Sequence, residues 1–191
     1  MVEELTIIEE WERVKVPTVP ELEEVKLKLR ESALLVLDIQ NQNCNEDRRP
    51  RCVRTLHHIQ MLIEKARNSG MLIIFSLTSA ASKADIRREV LPKRNEIIVK
   101  AGVDKFHNTK LEDMLRENGI KSVIIVGTSA NGAVLHTATG AATRKFGIIV
   151  PVNAISATYP YEEQYTVWHL MNSPGTRRRV ILSKAEMINF V

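Results

Sequence analysis

The sequence predicts a three-layer α/β fold, with helices on both faces of a largely parallel, roughly six-stranded sheet, a Rossmann-like arrangement. Three observations predict it. Short, almost wholly apolar runs recur at residues 33–37 (ALLVL), 71–77 (MLIIFSL), 96–99 (EIIV), 123–127 (VIIVG), 147–152 and 180–182. Runs of that length read as strands buried on both faces rather than as surface helices. Amphipathic stretches separate them, and strand–helix–strand alternation brings right-handed crossovers between parallel neighbours. Finally, 191 residues without internal repeat, low-complexity segment or linker suit one core. A chain of this size buries roughly 70% of its unfolded surface on folding. A single domain over residues 1–191 is expected, with 1–31 as an N-terminal extension that contains Pro17 and Pro20.

Each element has its own justification. The run 33–37 is too short and too uniformly apolar for a surface helix and forms the first strand. Residues 53–68 set Val53, Leu56, Ile59, Ile63 and Ala66 at helical spacing, and Gly70 ends that helix. Residues 71–77 and 96–99 are the second and third strands. A helix over 109–118 has Thr109 at its N-cap, Glu112 three residues on and Gly119 as its stop. After the fourth strand, 123–127, the stretch 133–145 is rich in small residues, as a helix packed closely on a sheet requires. The fifth strand, 147–152, a helix over 162–172 and a last strand, 180–182, follow. Ser183 and Glu186 have capping-box spacing and open a terminal helical turn.

Composition excludes several functions. The formal net charge is +4, and basic residues bunch at 48–54 (RRPRCVR) and 177–179 (RRR). Few aromatics accompany them, so the excess suits a small anionic substrate better than nucleic acid. No apolar run approaches the roughly 20 residues of a membrane span, and residues 1–30 have no export-signal pattern. A cytoplasmic protein is expected. Two cysteines, Cys44 and Cys52, build neither a disulfide framework nor a zinc ribbon. The five histidines match no ligand spacing, so neither metal nor cofactor is expected. His136 and His169 are kept in view because their helices start near the strand ends.

In a doubly wound sheet, ligands gather beyond the C-terminal strand ends. The first strand delivers Asp38 there, the third Lys100, and the fourth the turn 127–133 (GTSANGA). Asp38 either points into the crevice or caps the turn after it. Lys100 either faces the crevice, pairing with Asp38, or ends its strand at the surface. Backbone N–H groups of Gly132 and Ala133 are placed to meet an anion. The spacing Gly127-x4-Gly132 is not a P-loop, because Ala133-Val134 follows rather than Lys-Ser/Thr, and no G-x-G-x-x-G follows the first strand. Cys44 is either a pocket thiol or a small packing residue. Arg48, Arg49 or Arg51 would reach a substrate carboxylate if their loop folds over the crevice.

Three segments in order, ALLVLDIQNQ, KAGVDKFHNTKLEDMLRENGIKSVIIVGT and GTSANGAVLHTATGAATRKFGIIVPVNAISA, resemble the isochorismatase-like hydrolases, from Ala33 to Ala157. Cysteine members of that family hydrolyse amides with an Asp, a Lys and a Cys. The resemblance maps the Asp to Asp38, the Lys to Lys100 and the Cys to Ala133. A methyl group is no nucleophile, so the resemblance implies a hydrolase without a covalent cysteine step. The family's metal-binding Asp-x-His segment has no counterpart in 78–83 (TSAASK). The implied chemistry is that of members acting on isochorismate, with Asp38 as general acid toward a vinyl ether and Lys100 as its electrostatic partner. Gln42, Cys44, Ser129, Asn131, Gly132 and Arg49 would line the substrate site. Ser129 and Thr128 are read as positioning residues, around a non-proline cis bond of the kind family members carry there. The alternatives are a non-catalytic binding or scaffold protein that retains the pocket, and an amidase using Cys44. The resemblance also implies a homo-oligomer, dimer or tetramer, to which the Trp11 region and residues 159–168 would contribute contacts.

Overall fold

The computed structural model describes residues 5–191. In chain order the elements are β1 (Val25–Leu27), β2 (Ser32–Leu37), α1 (Pro50–Ser69), β3 (Leu72–Thr78), β4 (Ile97–Ala101), α2 (Leu111–Glu117), β5 (Ser122–Thr128), α3 (Leu135–Thr143), β6 (Gly147–Pro151), β7 (Ile155–Ser156), α4 (Pro160–Asn172), β8 (Val180–Ser183) and β9 (Ile188–Phe190). The main sheet runs β4-β3-β2-β5-β6-β8, with β7 added on β5, and every pairing in it is parallel. The seventh strand beyond the expected six is the two-residue β7.

Side-chain alternation divides the core in two. From β2, Ala33, Leu35 and Leu37 join the residues packed under α2 and α3, whereas Leu34 and Val36 join those under α1. α1 buries Cys52, Leu56, Ile59, Ile63 and Ala66 at helical spacing and stops at Gly70, whose φ of 75° suits glycine. It begins at Pro50, three residues before the expected start, because proline is favoured in the first turn, where no N–H partner is needed. α4 likewise opens on a proline, Pro160. The helix expected over 133–145 is instead a π-helical turn, Ala130–Val134, followed by α3.

Two further departures lie at the ends of the chain. Part of the expected extension forms β1, which pairs parallel with β9 in a separate two-stranded sheet. Three-residue strands containing Lys26 and Asn189 give no apolar run from which to read them. The turn expected near Ser183 is a short 3-10 turn, Ala185–Met187, just before β9. Trp11 is 59% exposed. Among the described residues no helix is long and apolar enough to cross a membrane.

Candidate active site

β2 and β5 are paired in register through Leu37 and Gly127, so their C-terminal ends stand side by side. The approach is close: a Cβ at Gly127, whose φ is 121°, would lie 2.1 Å from the Leu37 carbonyl oxygen. Immediately beyond Leu37 the backbone turns at Asp38 with φ 52°, a left-handed conformation that Asp tolerates better than most residues. Beyond Gly127, the Thr128–Ser129 peptide is cis and the chain enters the π-helical turn.

Asp38 is buried, and both its carboxylate oxygens are engaged. Oδ1 accepts the Ser76 hydroxyl at 2.7 Å, and Oδ2 accepts Lys105 Nζ at 2.8 Å. The Asp38 N–H donates back to Ser76 Oγ at 3.2 Å. Lys105 is only 1% exposed and also donates to the Gly102 carbonyl at 2.7 Å. Thr137 on α3 fixes its backbone by accepting the Lys105 N–H at 3.2 Å. A charge pair this deep is retained only with such additional hydrogen bonds, because desolvation costs each ion several kcal/mol.

The sequence predicts Lys100 as the partner of Asp38; the structure places Lys105 there instead. Along β4, Val99 belongs to the core under α2 and α3, and Ile98 packs on the α1 side. Strand alternation therefore turns Lys100 to the α1 side, away from the Lys105 loop that Thr137 of α3 holds. Lys100 is exposed, and its charge acts on Asp85. The Ser82 N–H is the main influence holding Asp85 below the usual carboxylate range, with Gln42, Ser82 Oγ and Lys100 adding to it. Lys105 lies in a loop between β4 and α2, outside any periodic element, so no sequence period marks it. The lone hydroxyl in the apolar run MLIIFSL was the available signal for Ser76, since a buried hydroxyl requires a partner.

The other expected residues divide. Ala133 is buried in the π-helical turn that follows the β5 end. Asn131 in that turn donates to Glu162 Oε1 at 3.0 Å. The Gly132 N–H donates to the Ser129 carbonyl at 3.1 Å, so it is committed within the turn instead of facing an anion. Gln42 is exposed and donates to Asp85. Cys44 is no thiol: it is fully buried and disulfide-bonded to Cys52, which removes it as a nucleophile. His136 is exposed, and among the described residues no group of three His, Cys, Asp or Glu side chains is placed to hold a metal ion.

The three arginines separate as well. Arg51 forms a two-pronged pair with Glu163, with Nε at 2.8 Å from Oε1, and so ties α1 to α4. Arg48 is exposed and donates to the Gln42 carbonyl at 3.2 Å. Arg49 is half-buried, and its own contacts are long: 3.4 Å to Thr158 Oγ1 and 3.4 Å to the Asn43 carbonyl. Burial pushes its guanidinium below the ordinary value, Arg48 adds to this, and the charges of Glu162 and Asp38 oppose it. Glu162 is meanwhile engaged elsewhere, accepting the Thr158 and Tyr159 N–H groups at 2.8 Å besides Asn131. Among the described residues Arg49 thus has no acidic partner of its own, and its guanidinium feels the charge of Asp38.

Comparisons with known proteins define the family and the fold. The sequence model of the Isochorismatase domain matches residues 32–177, more than half of the chain. The chain belongs to the isochorismatase family of α/β hydrolases. It is 30% identical over 93 residues to an N-carbamoylsarcosine amidase of Arthrobacter sp, covering 48% of this chain and 35% of that protein. The chain thus spans about a third of that relative. It is 24% identical over 163 residues to an uncharacterized isochorismatase family protein, YaaI, of Bacillus subtilis, covering 74% of this chain and 90% of the relative. Among solved structures, an N-carbamoylsarcosine amidase from Thermoplasma acidophilum superposes with a TM-score of 0.71 at 22% identity, covering 82% of this chain and 97% of that one, which shows the shared fold.

Proposed function

We propose that the protein is a hydrolase acting on a small carboxylated metabolite by acid/base chemistry, without a covalent cysteine intermediate. The observation that carries this reading is the buried Asp38–Lys105 pair at the C-terminal edge of the parallel sheet, beside a turn with alanine at position 133. The family's amidases need a nucleophile, and the two sulfurs of this chain are joined to each other. What the edge offers instead is a carboxyl group, an ammonium that balances its charge, and Arg49 as a cation for a substrate carboxylate.

On this reading Asp38 delivers a proton to the enol carbon of a vinyl ether. The Lys105 ammonium compensates the charge left on the carboxylate, while Ser76 fixes its orientation. Water then adds to the resulting oxocarbenium carbon and gives up the proton that restores the Asp38 carboxyl group, and the hemiketal collapses to alcohol and ketone. No step draws on a metal or cofactor. Asn131 and the turn around Ala133 shape the floor of the site. Gln40 Nε2, two residues beyond Asp38, is buried without a partner among the described residues and supplies a donor for a polar ligand.

The test is pyruvate release from isochorismate by the purified protein, alongside Asp38→Asn and Lys105→Met. Turnover by the wild type that falls at least about 100-fold in both variants is expected, the scale on which general acid catalysis contributes. Absence of turnover, or turnover indifferent to Asp38→Asn, overturns the mechanism. One observation favours a second reading, that of a binding protein: both Asp38 oxygens are already occupied. It predicts saturable isochorismate binding, weakened by Arg49→Ala, with no pyruvate formed.

A further inference from the structure

Asp38 is followed by a compact loop whose turns are tied back on themselves. The Gln40 N–H donates to the Asp38 carbonyl at 2.9 Å, and the Cys44 N–H to the Gln40 carbonyl at 2.8 Å. The loop then runs through Asn45, whose carbonyl accepts the Arg49 N–H at 2.9 Å, into Pro50 and the first turn of α1. Cys44 lies near its start and Cys52 lies in that first helical turn, eight residues apart in sequence and 5.2 Å apart at Cα. Their disulfide closes a small ring, and Arg49 is inside it. One of Arg49's two long contacts, the Asn43 carbonyl, belongs to the same loop, and among the described residues no acidic side chain fastens its guanidinium. The ring thus encloses the segment that carries this cation.

From this placement we propose that Cys44 and Cys52 are positioning residues. Their disulfide is a thiol-sensitive latch that holds Arg49 against Thr158 and the Asn43 carbonyl, on the loop that leaves Asp38, when closed and releases residues 41–49 when reduced. The step balances with a dithiol as reductant. One thiolate attacks a ring sulfur and displaces the other cysteine as thiolate; the second thiol resolves the mixed disulfide. The reductant leaves as a cyclic disulfide and the protein keeps two thiols. Neither sulfur is exposed, so the loop must move before attack. Oxidising surroundings keep such a bond closed and the reducing cytoplasm opens it, which makes Arg49 placement depend on compartment. The consequence for ligand binding rests on the reading of Arg49 as the anion-binding residue; the latch itself does not.

The experiment therefore reads the loop directly. Wild-type protein purified without reductant is compared before and after dithiothreitol, by thiol titration, amide hydrogen exchange, and arginine labelling with phenylglyoxal followed by mass spectrometry. The expected result is no titratable thiol before treatment and two after it. Hydrogen exchange should accelerate at least about tenfold within residues 39–54, with β2 and β5 unchanged. Labelling of Arg49 should rise several-fold while Arg178, exposed and outside the loop, stays constant as the internal reference. Two thiols in the untreated protein overturn the proposal. So does a reduced protein with unchanged loop exchange and Arg49 labelling, and so does exchange that rises across the whole sheet, which makes the bond a general staple. Failure of isochorismate turnover leaves each of these readouts intact and counts against the proposed function alone.

Discussion

Two lysines five residues apart, at the end of the same strand, meet opposite fates. Lys100 is the penultimate residue of β4 and exposed; Lys105 lies in the loop after it and is buried against Asp38. The difference is one of face and not of distance along the chain. Alternation commits Lys100 to the α1 side, whereas the loop carries Lys105 under α3, where Thr137 and the Gly102 carbonyl hold it. A charge has large consequences where it has been desolvated and compensated, and small ones where water already surrounds it.

The strongest test of that contrast removes the buried cation. Lys105→Met leaves Asp38 buried with only Ser76 on its carboxylate, and breaking such a pair costs about 3–5 kcal/mol. Chemical denaturation at neutral pH should show a loss of this size. The double variant Asp38→Asn/Lys105→Met should recover much of it, since no buried charge is then left uncompensated.

How far the site was legible follows from the same contrast. The strands are readable because a sheet covered on both faces needs apolar residues at nearly every position, and β2, β3 and β5 carry such runs. Asp38 was readable because it interrupts such a run at the edge where ligands gather. Lys105 was not, because a loop residue has no period, and its burial depends on α3, reached more than thirty residues later in the chain. The Cys44–Cys52 bond was missed for a similar reason. Two cysteines counted as a population say little, and the pairing depends on how the loop after Asp38 folds back onto the start of α1. Arg51 shows the converse: it reads as a candidate ligand group from its cluster, yet Glu163, over a hundred residues away, claims it.

The seat of Lys105 is itself open to test. A Cβ at Gly140 on α3 would stand 2.7 Å from Asp104 Oδ1 and 3.1 Å from the Phe106 ring, the two neighbours of Lys105. Gly140→Ala therefore overpacks the contact that presses this loop onto the helix, a change that typically costs about 1–3 kcal/mol. It should also reduce activity in parallel with Lys105→Met, though less, because the lysine is displaced and not lost. A variant as stable and as active as the wild type would show that the loop does not depend on α3 for its position.

An ion pair of middling burial calibrates the scale. At the opposite edge of the sheet Glu96 accepts both prongs of Arg67 at 2.8 Å and the Lys93 N–H at 2.7 Å. Burial pushes its carboxyl up, and Arg67 with Lys93 pulls it further down, leaving it below the ordinary value. A depressed folded-state pKa means stability that is present above the unfolded value of about 4.3 and lost as pH falls through the folded one. Glu96→Gln should thus cost about 1–2 kcal/mol at pH 7. That difference should shrink toward zero as the wild type is titrated below about pH 4, followed by urea denaturation at each pH.

The smallest expected effect belongs to Lys100, and it decides between the two lysines. Lys100→Met removes an exposed cation whose influence is on Asp85, itself held chiefly by the Ser82 N–H. Surface substitutions of this kind stay within about 0.5 kcal/mol. If Lys105 alone serves Asp38, Lys100→Met should leave stability within that margin and the rate of pyruvate release within about twofold, a bound that applies where Lys105→Met loses at least about 100-fold. A loss in Lys100→Met comparable to that in Lys105→Met would mean that the exposed lysine swings into the crevice during turnover. The alternation of β4 would then describe the resting protein and not the working one.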